Sequence, residues 1–181
     1  MIIYYLLLGI GLSMDAFSLA IAYGTNGIDK KKTIILSTSV GLLHFIMPNI
    51  GGLLRNIIVF IISKYTSIII SIIFLILAGE MIVSLKEEEK ISPINSLFDI
   101  FLFSIAVSLD SLMIGIALAL DNKNIITAGI IFSIVSFIFT TSGLLLGNYF
   151  NKKAGKLSKL VGIIILIFIS LKYLLDWQML I

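Results

Sequence analysis

The sequence predicts an all-α membrane protein whose six transmembrane helices form two inverted three-helix repeats. Three observations lead there. First, 59% of the 181 residues are hydrophobic and only 13% are charged, about half the charged fraction of an ordinary soluble domain. Second, the apolar residues come in blocks of about 20, the length at which a helix crosses a bilayer core. Third, one stretch occurs twice. LSMDAFSLAIA at 12–22 returns as VSLDSLMIGIA at 107–117, so that Ser13 falls on Ser108, Asp15 on Asp110, Ile21 on Ile116 and Ala22 on Ala117. With three spans in each half, the second half must enter the membrane the opposite way up, a plan that builds one midplane site from two halves.

Span one is predicted over 2–23. No basic segment precedes it and no small-residue cleavage site follows, so it reads as a retained span rather than a signal peptide. It ends at GTNGIDKKK, a turn followed by a basic loop. Span two runs over 33–54 and is expected to break at Pro48 and at Gly51-Gly52. The apolar piece enclosed by Arg55 and Lys64 is too short to cross. Span three covers 66–85. The polar loop 86–95 divides a first repeat, 1–85, from a second, 96–181. Spans four, five and six follow at 97–120, 125–149 and 157–175. Span two also pairs with span five: GLLHFIMPNIGGLL at 41–54 against SIVSFIFTTSGLLL at 133–146 keeps Phe, Ile and Gly.

The lysines set an orientation. Lys30, Lys31, Lys32, Lys86, Lys90, Lys152, Lys153, Lys156 and Lys159 fall in the loops after the odd spans, against Arg55, Lys64, Lys123 and Lys172 on the other side. The heavier side faces the cytoplasm, which leaves both termini outside. A net charge of +3, spread over short loops, gives no nucleic-acid surface. The absence of cysteine excludes disulfides and thiolate ligands.

Asp15 and Asp110 each stand near the middle of an apolar run, where an ionisable group costs several kcal/mol and marks a functional site by default. Gly9, Ser13, Ala16 and Ala20 form a small-residue stripe on span one, matched by Ser104, Ser108, Ser111 and Gly115 on span four. Such stripes let helices pack closely in lipid. Packing of spans one and four against each other would bring the two aspartates into one cavity. No intramembrane Arg or Lys is read at matching depth to neutralise them. That leaves a cation or a proton: a divalent ion cancels both charges, and an empty site takes up protons instead. The structural alternative is that each Asp is interhelical glue, bonded to neighbouring hydroxyls.

His44, the sole histidine, lies four residues before Pro48, and Gly41, His44, Pro48 and Gly51 fall close to one face. It reads as a ligand or proton carrier, or else as a buried histidine bonded to a hydroxyl. Asn49 and Met47 flank it. Ser13 and Ser108, beside the aspartates, complete the candidate set with Asn49. Glu80 is expected to reach the interface or pair with a lysine, Lys172 to snorkel, and Asp99 and Asp176 to lie at the interface. Tyr4, Tyr5, Tyr149, Tyr173 and Trp177 suit an interfacial belt.

On these residues the chain resembles the manganese efflux pump family of the MntP type. The resemblance is carried by GLSMDAFSLAIAYG at 11–24, GLLHFIMPNIGG at 41–52, AGEMI at 78–82, AVSLDSLMIGIALA at 106–119 and the segment 142–167. It implies six-span export of Mn²⁺ across the cytoplasmic membrane, with Asp15 and Asp110 as the essential membrane aspartates. It implies no enzymatic activity and no cofactor, with Mn²⁺ as substrate. Many members carry an acidic residue where this chain has His44 and a basic one where it has Tyr23. Mn²⁺ accepts carboxylate, carbonyl, water and imidazole ligands, the set that Asp15, Asp110, His44 and carbonyls freed near Pro48 offer. The leading expectation is therefore secondary export of Mn²⁺ or a similar divalent cation; with no nucleotide-binding loop present, the driving force is expected to be an ion gradient, with protons as the expected ion. The alternatives are a non-transporting sporulation or assembly protein and a small-solute exporter on a related fold.

Overall fold

The computed structural model describes residues 1–25, 28–54, 65–86, 96–147 and 152–178. The expectations placed on Arg55–Lys64, on most of the 86–95 loop and on Tyr149 lie outside these residues, as do the side chains of Lys152, Lys153, Asp176 and Trp177. The described residues are helical and contain no strand. In chain order they form α1 (Ile2–Gly24), α2 (Lys30–Leu53), α3 (Thr66–Lys86), α4 (Leu97–Ala106), α5 (Leu109–Leu120), α6 (Ile125–Leu146) and α7 (Lys152–Gln178). α4 and α5 together make the fourth span. Six stretches are thus long and apolar enough to cross a membrane.

Local chemistry sets the helix ends. Ser96 and Asp99 close a reciprocal capping box: the Asp99 N–H donates to Ser96 Oγ at 3.1 Å and the Ser96 N–H to Asp99 Oδ2 at 2.8 Å. Asp99, read as interfacial, is the acidic half of this cap. α5 ends in a Schellman turn, with the Lys123 N–H on Leu118 O and the Asn122 N–H on Ala119 O. Asn122 takes the left-handed conformation there, at φ 53°, which Asn tolerates better than other non-glycine residues. The Asn124 side chain then caps α6 by accepting from the Thr127 N–H at 3.0 Å.

Two expectations about breaks are corrected. α2 runs unbroken through Pro48 and Gly51. Their shared face is used for close approach instead: a Cβ on Gly51 would strike the Leu112 carbonyl, and one on Gly115 would strike the Pro48 carbonyl. The break falls in the fourth span, at Val107 and Ser108, immediately before Asp110. Three serines of this span compete for main-chain carbonyls. Ser104 Oγ donates to Ile100 O at 2.8 Å, Ser108 Oγ to Ser104 O at 2.7 Å and Ser111 Oγ to Ser108 O at 2.5 Å. In the first span the matching stripe has Ser13 as its one hydroxyl. Its Oγ meets Ser136 Oγ on α6 at 2.8 Å, and α1 stays continuous through Asp15.

The helix neighbours also differ from the expectation that spans one and four pack together. The backbone of α1 packs chiefly against α6 and α7, whereas α5 packs against α2 and α3. Gly9 abuts Phe132 and Val135, and Gly143 abuts Phe17 O at 2.9 Å and Ala20 Cβ at 2.7 Å of a would-be Cβ. The stripe Gly9–Ser13–Ala16–Ala20 therefore faces span five, because the glycines of α6 leave room for it. Spans one and four meet through side chains, including the edge-on pair Tyr23–Phe103 at 5.1 Å. One apolar core unites Leu8, Leu12, Phe74, Ile114, Leu118, Phe132 and Leu166, and a smaller one joins Ala16, Ala20, Leu36 and Val107.

Candidate ion site

Asp15 is carried by the middle of α1 and Asp110 by the first turn of α5, and both are half-buried. The break before α5 puts Asp110 at a half-helix N-terminus, where unpaired N–H groups and the helix dipole favour a carboxylate. The Ser111 N–H donates to Asp110 Oδ1 at 2.8 Å. Although α1 and α5 are not packed backbone to backbone, the Asp15 charge lies within electrostatic reach of Asp110. Glu80, on α3, lies within reach of Asp110 as well. Its side chain is exposed, as the expectation of an interfacial residue has it.

Lys159 overturns one reading of the sequence. The sequence places it in a cytoplasmic loop and offers no lysine at the depth of the aspartates. Instead it lies on α7, only 3% exposed, with Nζ 3.5 Å from Asp15 Oδ1. A signal for this exists in the sequence. Gly155, Ser158, Lys159, Gly162, Leu166 and Ser170 recur at helical spacing, and all are buried. Gly162 abuts Met14 and Gly11, and Gly155 abuts Ser18, so α7 lies close enough to α1 for the lysine stem to reach Asp15.

His44 is fully buried, with Nδ1 2.9 Å from Val40 O. Among the described residues its Nε2 has no hydrogen-bond partner, nor do Ser37 Oγ, Thr140 Oγ1 and Thr141 Oγ1. These groups lie on α2 and α6, two helices packed on each other. Asn49 turns its amide back onto its own helix, Nδ2 donating to Phe45 O at 2.7 Å. The Ser13 hydroxyl is shared with Ser136 and that of Ser108 with Ser104 O, each oxygen keeping lone-pair capacity. Among the described residues no three His, Asp or Glu side chains converge on one point closely enough to ligate an ion together. The carboxylates and His44 are thus not gathered into one shell in this conformation.

A second polar cluster, not anticipated as such, closes the other end of the bundle. Tyr173 OH donates to Asp121 Oδ2 at 2.5 Å and lies 2.9 Å from Tyr4 OH. Lys123 pairs with Asp121 at 3.4 Å, and the Asn124 N–H donates to Tyr5 OH at 3.1 Å. Lys172 Nζ sits 5.5 Å from the centre of the Tyr4 ring, a cation–π placement. Tyr5 and Tyr173, expected in an interfacial belt, are 2% and 5% exposed. Their hydroxyls find partners inside the bundle, which holds them there.

Six membrane-length helices enclosing carboxylates and a paired lysine define a multi-pass membrane protein with an ionisable interior. The profile of the family described as "Putative manganese efflux pump" matches residues 27–174. The chain is 32% identical over 164 residues to a protein of Oceanobacillus iheyensis named "Putative manganese efflux pump MntP", covering 89% of each. A protein of the same name from Ruminiclostridium cellulolyticum is 32% identical over 92% of both chains, and one from Methanocorpusculum labreanum 29% over 95% of both. The chain belongs to this MntP family, which is a family of transporters by description and not of enzymes. No solved structure matches.

Proposed function

We propose that this protein exports Mn²⁺, or a divalent cation of similar chemistry, from the cytoplasm by alternating access, with Asp15 and Asp110 as the carboxylates that hold the ion. The observation that carries the reading is that two acids at equivalent points of a repeated segment are both half-buried in the bundle, Asp15 beside the Lys159 ammonium and Asp110 at a half-helix N-terminus. Asp15 and Asp110 together carry two negative charges when ionised, and the Lys159 ammonium stands against the first of them while the site is empty. A divalent cation cancels the two charges, and so do two protons. The same groups therefore support exchange of the metal against protons. His44, Ser13, Ser108 and Asn49 are the further ligands an ion meets as the helices rearrange, imidazole and oxygen donors being a set that suits Mn²⁺. The unpartnered atoms of Ser37, His44, Thr140 and Thr141 are where entering water or a hydrated ion gains hydrogen bonds.

The inverted repeat belongs to the same proposal. Gly51 approaches Leu112 O and Ile116 N, while Gly143 approaches Phe17 O and Ile21 N. The offset that carries Asp15 to Asp110 also carries Phe17 to Leu112 and Ile21 to Ile116, and the alignment of span two with span five carries Gly51 to Gly143. Equivalent glycines thus meet equivalent atoms, as a two-fold axis in the membrane plane requires. Placing the basic loops in the cytoplasm leaves both termini outside.

The Asp15–Lys159 pair also fits a non-transporting membrane protein in which Asp15 holds helices together. Cells expressing the protein and exposed to Mn²⁺ separate the two. Export gives tolerance and lower cell manganese, both lost in Asp110→Asn at unchanged protein level and in Asp15→Asn per molecule of protein that remains. Manganese that is unchanged per molecule of protein in both variants would favour the structural role.

A further inference from the structure

Lys159 is a buried charge that a carboxylate-only cation site does not use. It is 3% exposed, near the N-terminal end of the sixth span, and its ammonium lies 3.5 Å from Asp15 Oδ1. Desolvating a lysine and a carboxylate together is expensive, and replacing such a pair by apolar residues is often neutral or stabilising. A pair kept for stability alone is therefore a poor bargain, which draws attention to what the ammonium does to Asp15. It occupies the carboxylate that a divalent cation needs.

We infer that Lys159 is a built-in competitor for the transported cation, holding Asp15 when the site is empty and being displaced from it when the metal arrives. This rests on the exporter reading above and deepens it. A positive charge beside the ion keeps affinity low enough for release, since a translocation site must bind firmly enough to load and weakly enough to unload. With the metal gone, the ammonium returns to Asp15, so that the carrier resets with this carboxylate paired and only Asp110 left for a proton. No proton transfer by Lys159 is needed. The lysine is a positioning and charge-setting residue, and the metal's ligands remain the acids.

The test is ⁵⁴Mn²⁺ equilibrium binding to the full-length protein in detergent, with export measured after reconstitution in proteoliposomes. Lys159→Met is expected to bind Mn²⁺ at least about tenfold more tightly than the wild type, from removal of a like charge at close range, and to turn over more slowly. Lys159→Gln is expected to behave in the same way, and Lys159→Arg, which keeps the charge, to restore the wild-type constant. Equal or weaker affinity in Lys159→Met and Lys159→Gln, where wild-type binding is present and is lost in Asp110→Asn, overturns the competitor role and leaves the exporter reading standing. Wild-type protein that binds no Mn²⁺, with Asp110→Asn indistinguishable from it, sinks both. Failure of both neutral variants to give monodisperse protein while Lys159→Arg folds also overturns it, because the pair would then be holding the fold.

Discussion

Gly115→Ala is the sharpest probe of the packing that positions Asp110. Gly115 lies on α5, five residues after the aspartate, against Pro48 of α2. A Cβ built there stands 2.4 Å from Pro48 Cα and 2.7 Å from its carbonyl carbon, and it also strikes the carbonyl oxygen. All three are backbone atoms of a helix, so no side chain can swing away. Ordinary contact requires α2 and α5 to separate by about 1 Å, and overpacking of this kind costs about 1–3 kcal/mol. The gain in helix propensity from Gly to Ala offsets up to about 1 kcal/mol, leaving a net loss of about 1–2 kcal/mol. Gly79→Ala is the matched control: it is also helical, but nothing lies within 4 Å of its would-be Cβ, so the propensity term acts alone and stability is unchanged or slightly raised. Thermal unfolding of purified protein in one detergent compares the two. Because α5 carries Asp110, export falls in Gly115→Ala and not in Gly79→Ala. Equal stability of the two variants would refute the claim that backbone contact at Pro48 fixes α5.

Three further outcomes are expected. Asp15→Asn strands the Lys159 ammonium in a buried position and lowers stability by about 1–3 kcal/mol, a value reduced because the Asp15 side chain keeps 27% of its exposure; adding Lys159→Met recovers most of that loss, and a strictly additive double variant would contradict the pairing. Ser13→Ala costs about 0.5–1 kcal/mol through its partner Ser136, and a double-mutant cycle with Ser136→Ala shows coupling between them, whereas no coupling would mean the two hydroxyls act separately. Reporters fused to either end test the orientation: a phosphatase active only outside the cytoplasm works at both termini, and activity of a cytoplasmic reporter there would reverse the assignment.

Much of this protein is legible in its sequence because the signals are local. Hydrophobic length alone places the six spans. The fourth span and the start of the fifth fall within a residue or two of their predicted limits, since Ser96 with Asp99 and Asn124 with Thr127 are caps built from neighbours in the chain. The duplicated SMD and SLD segments single out Asp15 and Asp110, which need nothing but apolar flanks to be conspicuous. What could not be read was decided by contacts between distant segments. Pro48 reads like a break, yet helix α2 is continuous through it, on a flank where Gly115 admits its backbone. The small-residue stripe of span one was legible, but which helix it meets depended on the glycines of α6. Lys159 looked like a loop lysine, because a long flexible stem near a span's end reads equally well as snorkelling or as pointing inward. Only the close approach of α7 to α1, through Gly155 and Gly162, puts its ammonium beside Asp15. The sequence determines where the charges lie along each helix, whereas their pairing is set by interhelical distance, a property of no single segment.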